Sequence, residues 1–238
     1  GEEEEGRRVL QYGARLSLAL DSMDLSFHAM RQVDRFFPLV GTDKFTFLGG
    51  TAVPLSREPI PYYFMKNQYG VTAQIPWGGL SLKLEGAYRS FDSEKIIYTA
   101  RGLRTPSDHT DVAFGFDYSF RFDNSDMELI VLSEVSSIFG VSDNFRAEIS
   151  VFQKDVLVGF KLMFNDIMGS ELTVTAISDI ERDNEKLYNF SYTRRLTDQW
   201  KFDTGVRVFI APQKGAIATG LEALDGNHHG YFNLTRYF

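Results

Sequence analysis

One pattern recurs along most of this sequence: apolar and polar side chains alternate with a period of two residues. The stretch DVAFGFDYSF, residues 111–120, shows it clearly, because its aromatic rings occupy even positions and its carboxylates odd ones. A period of two is typical of a β-strand, whose side chains point alternately to the two faces of a sheet. No segment has a convincing helical period, so the sequence predicts an all-β, antiparallel fold. The predicted strands are eleven, at 9–20, 24–29, 67–77, 80–89, 111–120, 127–135, 156–164, 172–178, 187–196, 200–210 and 230–238.

Composition excludes several classes of protein. The chain contains no cysteine, which removes disulfides, thiolate metal sites and thiol catalysis. Its net charge is −7 without a concentrated basic stripe, so we expect no nucleic-acid partner. It has no run of about 18 apolar residues, the length that a transmembrane helix needs. We expect neither a cofactor nor a metal site, since Asp225, His228 and His229 are a weak ligand set without fixed geometry.

Three features favour a membrane barrel, with its apolar face toward lipid, over a soluble barrel or sandwich that buries this face. The predicted strands are mostly about 9 to 11 residues long, as tilted membrane-crossing strands are. Short connections such as DSMD and PWGG contrast with long ones, and the only tryptophans, Trp77 and Trp200, each lie beside a short connection. Both tryptophans would then lie at the same membrane–water interface, where aromatic rings form a girdle. These features predict a bacterial outer-membrane location with the short turns in the periplasm. The long connections are 33–66, 90–109, 136–154 and 211–228.

The chain ends on the aromatic stretch GYFNLTRYF. This stretch resembles the C-terminal signal by which bacterial outer-membrane proteins are recognised by the barrel-assembly machinery and inserted. The resemblance implies that Phe232 and Leu234 face lipid, that Phe238 is the terminal ring and that Tyr237 is an additional one. The sequence departs from the signal at Arg236, where an aromatic residue is expected. The alternative interpretation is an ordinary edge strand of a soluble sheet.

The predicted strand number is odd, which bears on closure. If every short connection is periplasmic, the first and the last strand both run toward the periplasm. Single-chain bacterial barrels have even strand numbers, so either one strand is uncounted or further strands are needed. Residues 144–152, NFRAEISVF, alternate, but we expect them to form a β extension within an extracellular loop. We expect residues 1–238 to form one up-and-down barrel domain with about 11 to 12 strands in this chain. Either its first and last strands pair with each other in a small self-contained barrel, or upstream strands or another chain complete a larger barrel of which this is the C-terminal part; the odd count favours the second.

Several stretches resemble the C-terminal part of large porin-like families of Gram-negative outer membranes, including the alginate-export-like and DUF1302-like barrels. They are VAFGFDYSF, VLVGFKLMFNDIMGSELTVTAISDIE, RRLTDQWKF and the closing RYF, and the similarity covers residues 61–238. The resemblance implies an outer-membrane channel surrounded by lipid. It implies no particular solute and no catalytic residues.

The polar sides of the predicted strands carry charges of both signs, which would line the lumen of a barrel. Acidic and basic side chains on opposing walls create a transverse field that orients hydrated solutes. The simpler interpretation is that neighbours such as Lys83 and Glu85 only satisfy one another across strands. The predicted lumen-lining residues are Arg15, Asp24, Lys83, Glu85, Arg89, Asp111, Asp117, Glu128, Lys161, Lys201, Asp203 and Arg207, together with Glu134 and Glu171.

Two functions stay open from the sequence: a channel or export conduit for small solutes, and an outer-membrane scaffold or assembly subunit whose loops or partners carry the activity. We do not expect an enzyme. The histidines in predicted outer loops, His109, His228 and His229, have acids nearby but no Gly-x-Ser-x-Gly motif accompanies them. The apolar loop 33–66 could constrict the pore, contact a partner or pack over the rim.

Overall fold

The computed structural model of the protein describes residues 10–35, 39–56, 58, 60–182, 185–213, 218 and 220–237. Within these residues no helix is long and apolar enough to span a membrane. The strands are β1 (Tyr12–Ala19), β2 (Asp24–Val33), β3 (Leu39–Thr42), β4 (Phe45–Leu48), β5 (Thr51–Pro54), β6 (Ile60–Tyr62), β7 (Met65–Trp77), β8 (Leu80–Phe91), β9 (Ile97–Thr99), β10 (Gly102–Arg104), β11 (His109–Arg121), β12 (Glu128–Phe139), β13 (Lys154–Met163), β14 (Glu171–Asp179), β15 (Lys186–Arg195), β16 (Trp200–Ile210) and β17 (His229–Arg236).

Eleven of these strands form one antiparallel sheet in the order β1-β2-β7-β8-β11-β12-β13-β14-β15-β16-β17. Each strand therefore pairs with the next large-sheet strand along the chain, which is an up-and-down arrangement. The all-β class and all eleven predicted strands are confirmed. The structure extends β2 beyond its predicted end, because Gln32 and Val33 continue the ladder with Lys66 and Met65 of β7.

The register of this sheet keeps the alternation of the sequence in phase from strand to strand. Phe114 of β11 pairs with Leu84 of β8 and with Val135 of β12. Directly paired residues lie on the same face of a sheet, so apolar residues of successive strands form continuous rows. A slip of one residue would move a whole strand's apolar set to the opposite face.

The two ends of the sheet differ in the length of their connections, with one exception: 180–185, between β14 and β15, is short but lies at the end that carries the long connections. At one end β7 and β8 are joined by Gly78 and Gly79 alone, and Gly78 adopts a left-handed φ of 59°. At the other end the connections 34–64, 92–108, 140–153 and 211–228 are long. We call these the short-turn end and the long-loop end. The predicted contrast between the two kinds of connection is thus present in the fold except at 180–185.

The long connections build small structures of their own. One sheet has the order β10-β9-β3-β6, and β4 pairs with β5. An ideal Cβ on Gly41 of β3 would lie 2.1 Å from a backbone carbonyl oxygen of β9, so only glycine permits this close approach of two strands. The apolar cluster beside it consists of Tyr62, Phe64 and Ile97, which are buried, with Leu39 and Phe91 packed against them.

The prediction of β extension at 144–152 is wrong. Residues Asp143–Ile149 form a short helix, α1, and Gly220–Leu224 form a turn of 3-10 helix. Phe145 and Ile149 are four residues apart, a spacing that places them on one face of a strand and equally on one face of a helix. Asp143 lies in the first turn, where a negative charge is favourable.

A closed barrel is not found. β1 and β17 are the two ends of the strand order, and in the part of the chain that the structure describes no pairing joins them. Leu16 pairs with Phe27 of β2, and Phe232 pairs with Thr204 of β16. Both edge strands run toward the short-turn end, so a direct pairing between them would be parallel. Completion of the sheet by further strands stays a prediction.

Candidate functional site

The two faces of the large sheet differ in chemistry. Pairing assigns each residue to a face: Lys83 of β8, for example, pairs with Gln74 of β7 and Gly115 of β11. We call the face that carries Lys83 the polar face and the opposite one the apolar face. All the residues predicted to line a lumen share the polar face: Arg15, Asp24, Lys83, Glu85, Arg89, Asp111, Asp117, Glu128, Glu134, Lys161, Glu171, Lys201, Asp203 and Arg207.

The apolar face is uncovered and almost free of charge. Leu16 is 58% exposed, Phe114 50% and Phe232 67%, although all three are paired within the sheet or at its edge strands. Charged residues reach this face only within three residues of a strand end, so its central band contains none. These residues are Arg31, Lys154, Lys186, Arg194 and Arg236.

Ion pairs join neighbouring strands across the polar face. Lys83 pairs with Asp117, a residue of the next strand, and not with Glu85 as the simpler interpretation of the sequence suggested. Lys161 of β13 lies 3.0 Å from Glu171 of β14, also on an adjacent strand. These side chains are partly exposed, so each pair contributes little stability, typically about 0 to 1 kcal/mol. Their larger effect is on the potential along this face.

Two predicted arginines are held by neutral partners instead. Arg15 Nε donates a hydrogen bond to Ser26 Oγ at 2.6 Å. Arg207 Nε donates to Asn189 Oδ1 at 3.4 Å, and its guanidinium lies 5.7 Å from the ring centroid of Tyr231. Because Ser26, Asn189 and Tyr231 are neutral, these contacts leave both positive charges on the polar face.

At the long-loop end the polar face is covered by the long connections. Lys66 and His109 are both less than one-tenth exposed there. They line a cavity of about 300 Å³, which we call the loop-end cavity, together with Arg89 and Asp111. Its apolar walls come from Phe64, Phe91, Phe145 and Ile149. Leu39 and Phe64, which belong to the loop 33–66, line this cavity; constriction of a pore by this loop stays a prediction.

A second buried polar region lies where β13, β14 and the 3-10 helix meet. Asp155 and Asp179 are paired directly across β13 and β14 and are 5% and 3% exposed. Arg182 connects Glu185 and Glu222, with N to O distances of 2.7 Å to each. Among the described residues, no group of three or more acidic or histidine side chains is arranged to hold a metal ion.

Sequence reasoning did not find either buried region. Both depend on loops that return over the end of the sheet, and alternation within strands carries no information about such a return. The only signal was the apolar character of the loop 33–66. It pointed to packing, but not to the strand-borne partners Lys66 and His109.

Both predicted girdle residues lie at the short-turn end, on strands that are far apart in the sheet. Trp77 is the last residue of β7 and Trp200 the first of β16. Both are on the apolar face, where Trp77 pairs with Leu80 and Trp200 with Arg236, whose guanidinium lies 5.6 Å from the indole centroid.

The residues of the predicted insertion signal are partly described. Phe232 and Leu234 are on the apolar face of β17, and the ring of Phe232 lies 5.0 Å from that of Phe202. Tyr237 is 51% exposed and its backbone N–H donates to the carbonyl of Gln199. Phe238 lies outside the described residues.

His228 and His229 form local contacts. His228 Nδ1 accepts a hydrogen bond from the backbone N–H of Phe209 at 3.2 Å, and Asp225 Oδ1 accepts one from Ala211 at 2.7 Å. His229 stacks on Phe209 with centroids 5.9 Å apart. These contacts hold the end of the loop 211–228 against β16.

Comparison with protein-family models, with curated proteins and with solved structures gives no match for this chain. The resemblance to porin-like families therefore stays a prediction.

Proposed function

We propose that this protein contributes its large sheet to a bacterial outer-membrane β-barrel whose polar face lines a conduit for small hydrated solutes. The observation that carries the proposal is the segregation of charge between the two faces. Charged residues occur along the whole polar face, whereas the apolar face has them only near strand ends. Lipid is the environment for which such a distribution is stable, because water would meet an apolar surface spanning eleven strands.

The lengths and ends of the strands agree with this proposal. Eight to thirteen residues form each strand of the large sheet, and a tilted transmembrane strand needs about 9 to 11. Trp77 and Trp200 occupy one end of the apolar face, as interfacial rings do. The short-turn end would then face the periplasm and the long-loop end the exterior.

Membrane insertion sets a requirement for the two edge strands. An unpaired backbone group in hydrocarbon costs several kcal/mol, so β1 and β17 need partners on their free sides. Further antiparallel strands, odd in number, would join them while keeping the alternation of direction. A parallel pairing of β1 with β17 is the other solution, and barrels with an odd strand number exist.

The balance of charge suggests which solutes could pass. Basic and acidic side chains occur in nearly equal numbers on the polar face, so the conduit would have weak selectivity between small cations and anions. The connections that cover Lys66 and His109 would narrow the conduit at its long-loop end. This narrowing would limit passage to small molecules.

Planar bilayers test the proposal with two matched variants. Wild-type protein purified from the membrane together with the strands that complete its barrel should conduct, and K83Q should raise the cation-to-anion permeability ratio because it leaves Asp117 without its ion-pair partner on the conduit wall. K154Q removes the same charge type from the apolar face near a strand end and should leave the ratio unchanged. Folded, inserted protein without conductance would favour the alternative of a scaffold, whose polar face is closed by its loops. Equal shifts in both variants would also contradict the conduit.

A further inference from the structure

The loop-end cavity combines apolar walls with a few buried polar atoms, which is the usual composition of a small-molecule site. Its volume is about 300 Å³. A cavity of about 150 Å³ holds benzene, so this one has room for a substituted aromatic ring. Phe91 stacks on His109 with ring centroids 5.9 Å apart and planes inclined by 30°, which forms a flat wall next to the polar atoms.

The polar atoms of the cavity have well-defined roles. His109 Nδ1 lies 2.9 Å from the carbonyl oxygen of Ser107. A carbonyl oxygen can only accept a hydrogen bond, so Nδ1 carries the hydrogen and Nε2 of the neutral ring is an acceptor. Arg89 engages Asp111 through Oδ2, which leaves the other carboxylate oxygen of Asp111 for a different donor.

The two acceptors lie close together and one of them is unsatisfied. Asp111 Oδ1 is buried and has no hydrogen-bond partner, and it lies 4.0 Å from His109 Nε2. A buried acceptor without a donor is unfavourable, so a ligand that places a donor between these atoms would be stabilised there. One N–H2 or O–H group beside the pair could donate to both atoms or to Asp111 alone.

The surrounding charges favour a neutral donor. Lys66 is 3.3 Å from Asp34 and Arg89 pairs with Asp111, so the cations and anions at this end already balance. A carboxylate ligand would bring acceptors to Asp111 and His109, and an ammonium ligand would add an unbalanced positive charge next to Lys66 and Arg89.

We propose that the loop-end cavity is a binding site for a small neutral aromatic molecule, such as a phenol or an aryl amide, which donates hydrogen bonds to Asp111 and His109 while its ring packs against Phe64 and Phe91. This inference does not rest on the proposed conduit, since binding requires only the folded chain.

The test uses phenol, benzamide and benzoate as probes, with ligand-observed NMR on the folded protein at pH 8, where imidazole is ordinarily neutral. Phenol or benzamide should bind saturably, and benzoate should bind at least about tenfold more weakly, the effect of losing about 1.4 kcal/mol. Binding of benzoate as tight as that of benzamide would overturn the proposal. So would the absence of saturable binding by both neutral probes.

Two substitutions separate the site from general effects of charge. D111N and D117N each remove an ion pair between β11 and β8, but only Asp111 lines the cavity. Binding of benzamide should fall about tenfold or more in D111N and stay unchanged in D117N. I149W, which places a larger side chain in the cavity from α1, should abolish binding. Unchanged binding in D111N, or in I149W, would overturn the proposal.

Discussion

Replacing Phe114 by lysine should destabilise the protein in a lipid bilayer far more than the same change at Phe120. Both rings belong to β11, both are on the apolar face, and their exposed fractions are 50% and 46%. They differ in depth, because Phe114 lies near the middle of the strand and Phe120 next to its short-turn end. The pair therefore compares one substitution at two depths on one strand.

The expected magnitude follows from the distance between the two positions. Six residues at about 3.4 Å each separate them by about 20 Å along the strand, or about 15 Å along the membrane normal for a tilt near 40°. That distance exceeds half of an apolar band about 25 Å tall. Lysine should thus cost about 2 to 4 kcal/mol at position 114 and about 0 to 1 kcal/mol at position 120.

Urea unfolding of protein inserted in lipid vesicles measures these free energies. Each lysine variant is compared with alanine at the same position, which removes the loss of ring contacts, including the 4.4 Å contact of Phe120 with Tyr118. If lysine cost almost nothing at both positions, the apolar face would be in contact with water. If lysine cost the same large free energy at both positions, this face would be buried against protein. Either result would refute the lipid-facing assignment.

Three further predictions concern other parts of the molecule. G41A should destabilise the small sheet by about 1 to 3 kcal/mol, the usual cost of overpacking. G230A should be nearly neutral, because a Cβ there would meet its nearest atom at 3.6 Å. Limited proteolysis of the loops measures the difference between the two variants. Hydrogen bonds from the backbone N–H and hydroxyl of Ser170 hold the pKa of Asp166 below its ordinary value of 3.8. The stability that these bonds contribute should be present above pH 3.8 and be lost as the pH falls through the folded pKa, in thermal melts of wild type but not of D166N. Burial raises the pKa of Glu185 above its ordinary value of 4.5, so the folded protein binds this proton more tightly than the unfolded chain does. The stability of the wild type should therefore fall as the pH rises from 4.5. The difference in stability between E185Q and wild type should shift in favour of E185Q from pH 4 to pH 7.

The large sheet could be predicted from the sequence because the pattern that specifies each strand lies within that strand. Apolar and polar residues alternate within each strand, and the register that aligns Phe114 with Leu84 is the one that keeps both rows in phase. The same alternation placed Lys83, Asp117 and Arg207 on one face. Which partner a charge selects, as Lys83 selects Asp117 over Glu85, depends on the diagonal geometry between strands and could not be predicted.

The long-loop end could not be predicted for a different physical reason. Phe145 and Ile149 satisfy a strand period and a helix period alike, and the helix prevails because its apolar side packs into the loop-end cavity. The orphan oxygen of Asp111 and the tautomer of His109 depend on which atoms Arg89 and the Ser107 carbonyl contact. Neither has a signature in the order of residues along the chain.

The central claim is that the apolar face meets lipid, and a fluorescence scan along β11 tests it most directly. The chain has no cysteine, so single cysteines at 112, 114, 116 and 118, and at 113, 117 and 119, can each carry one fluorophore in vesicles. Brominated lipid chains should quench the even positions, and aqueous iodide should quench the odd ones. Iodide quenching at every position, or quenching without a period of two, would contradict the claim.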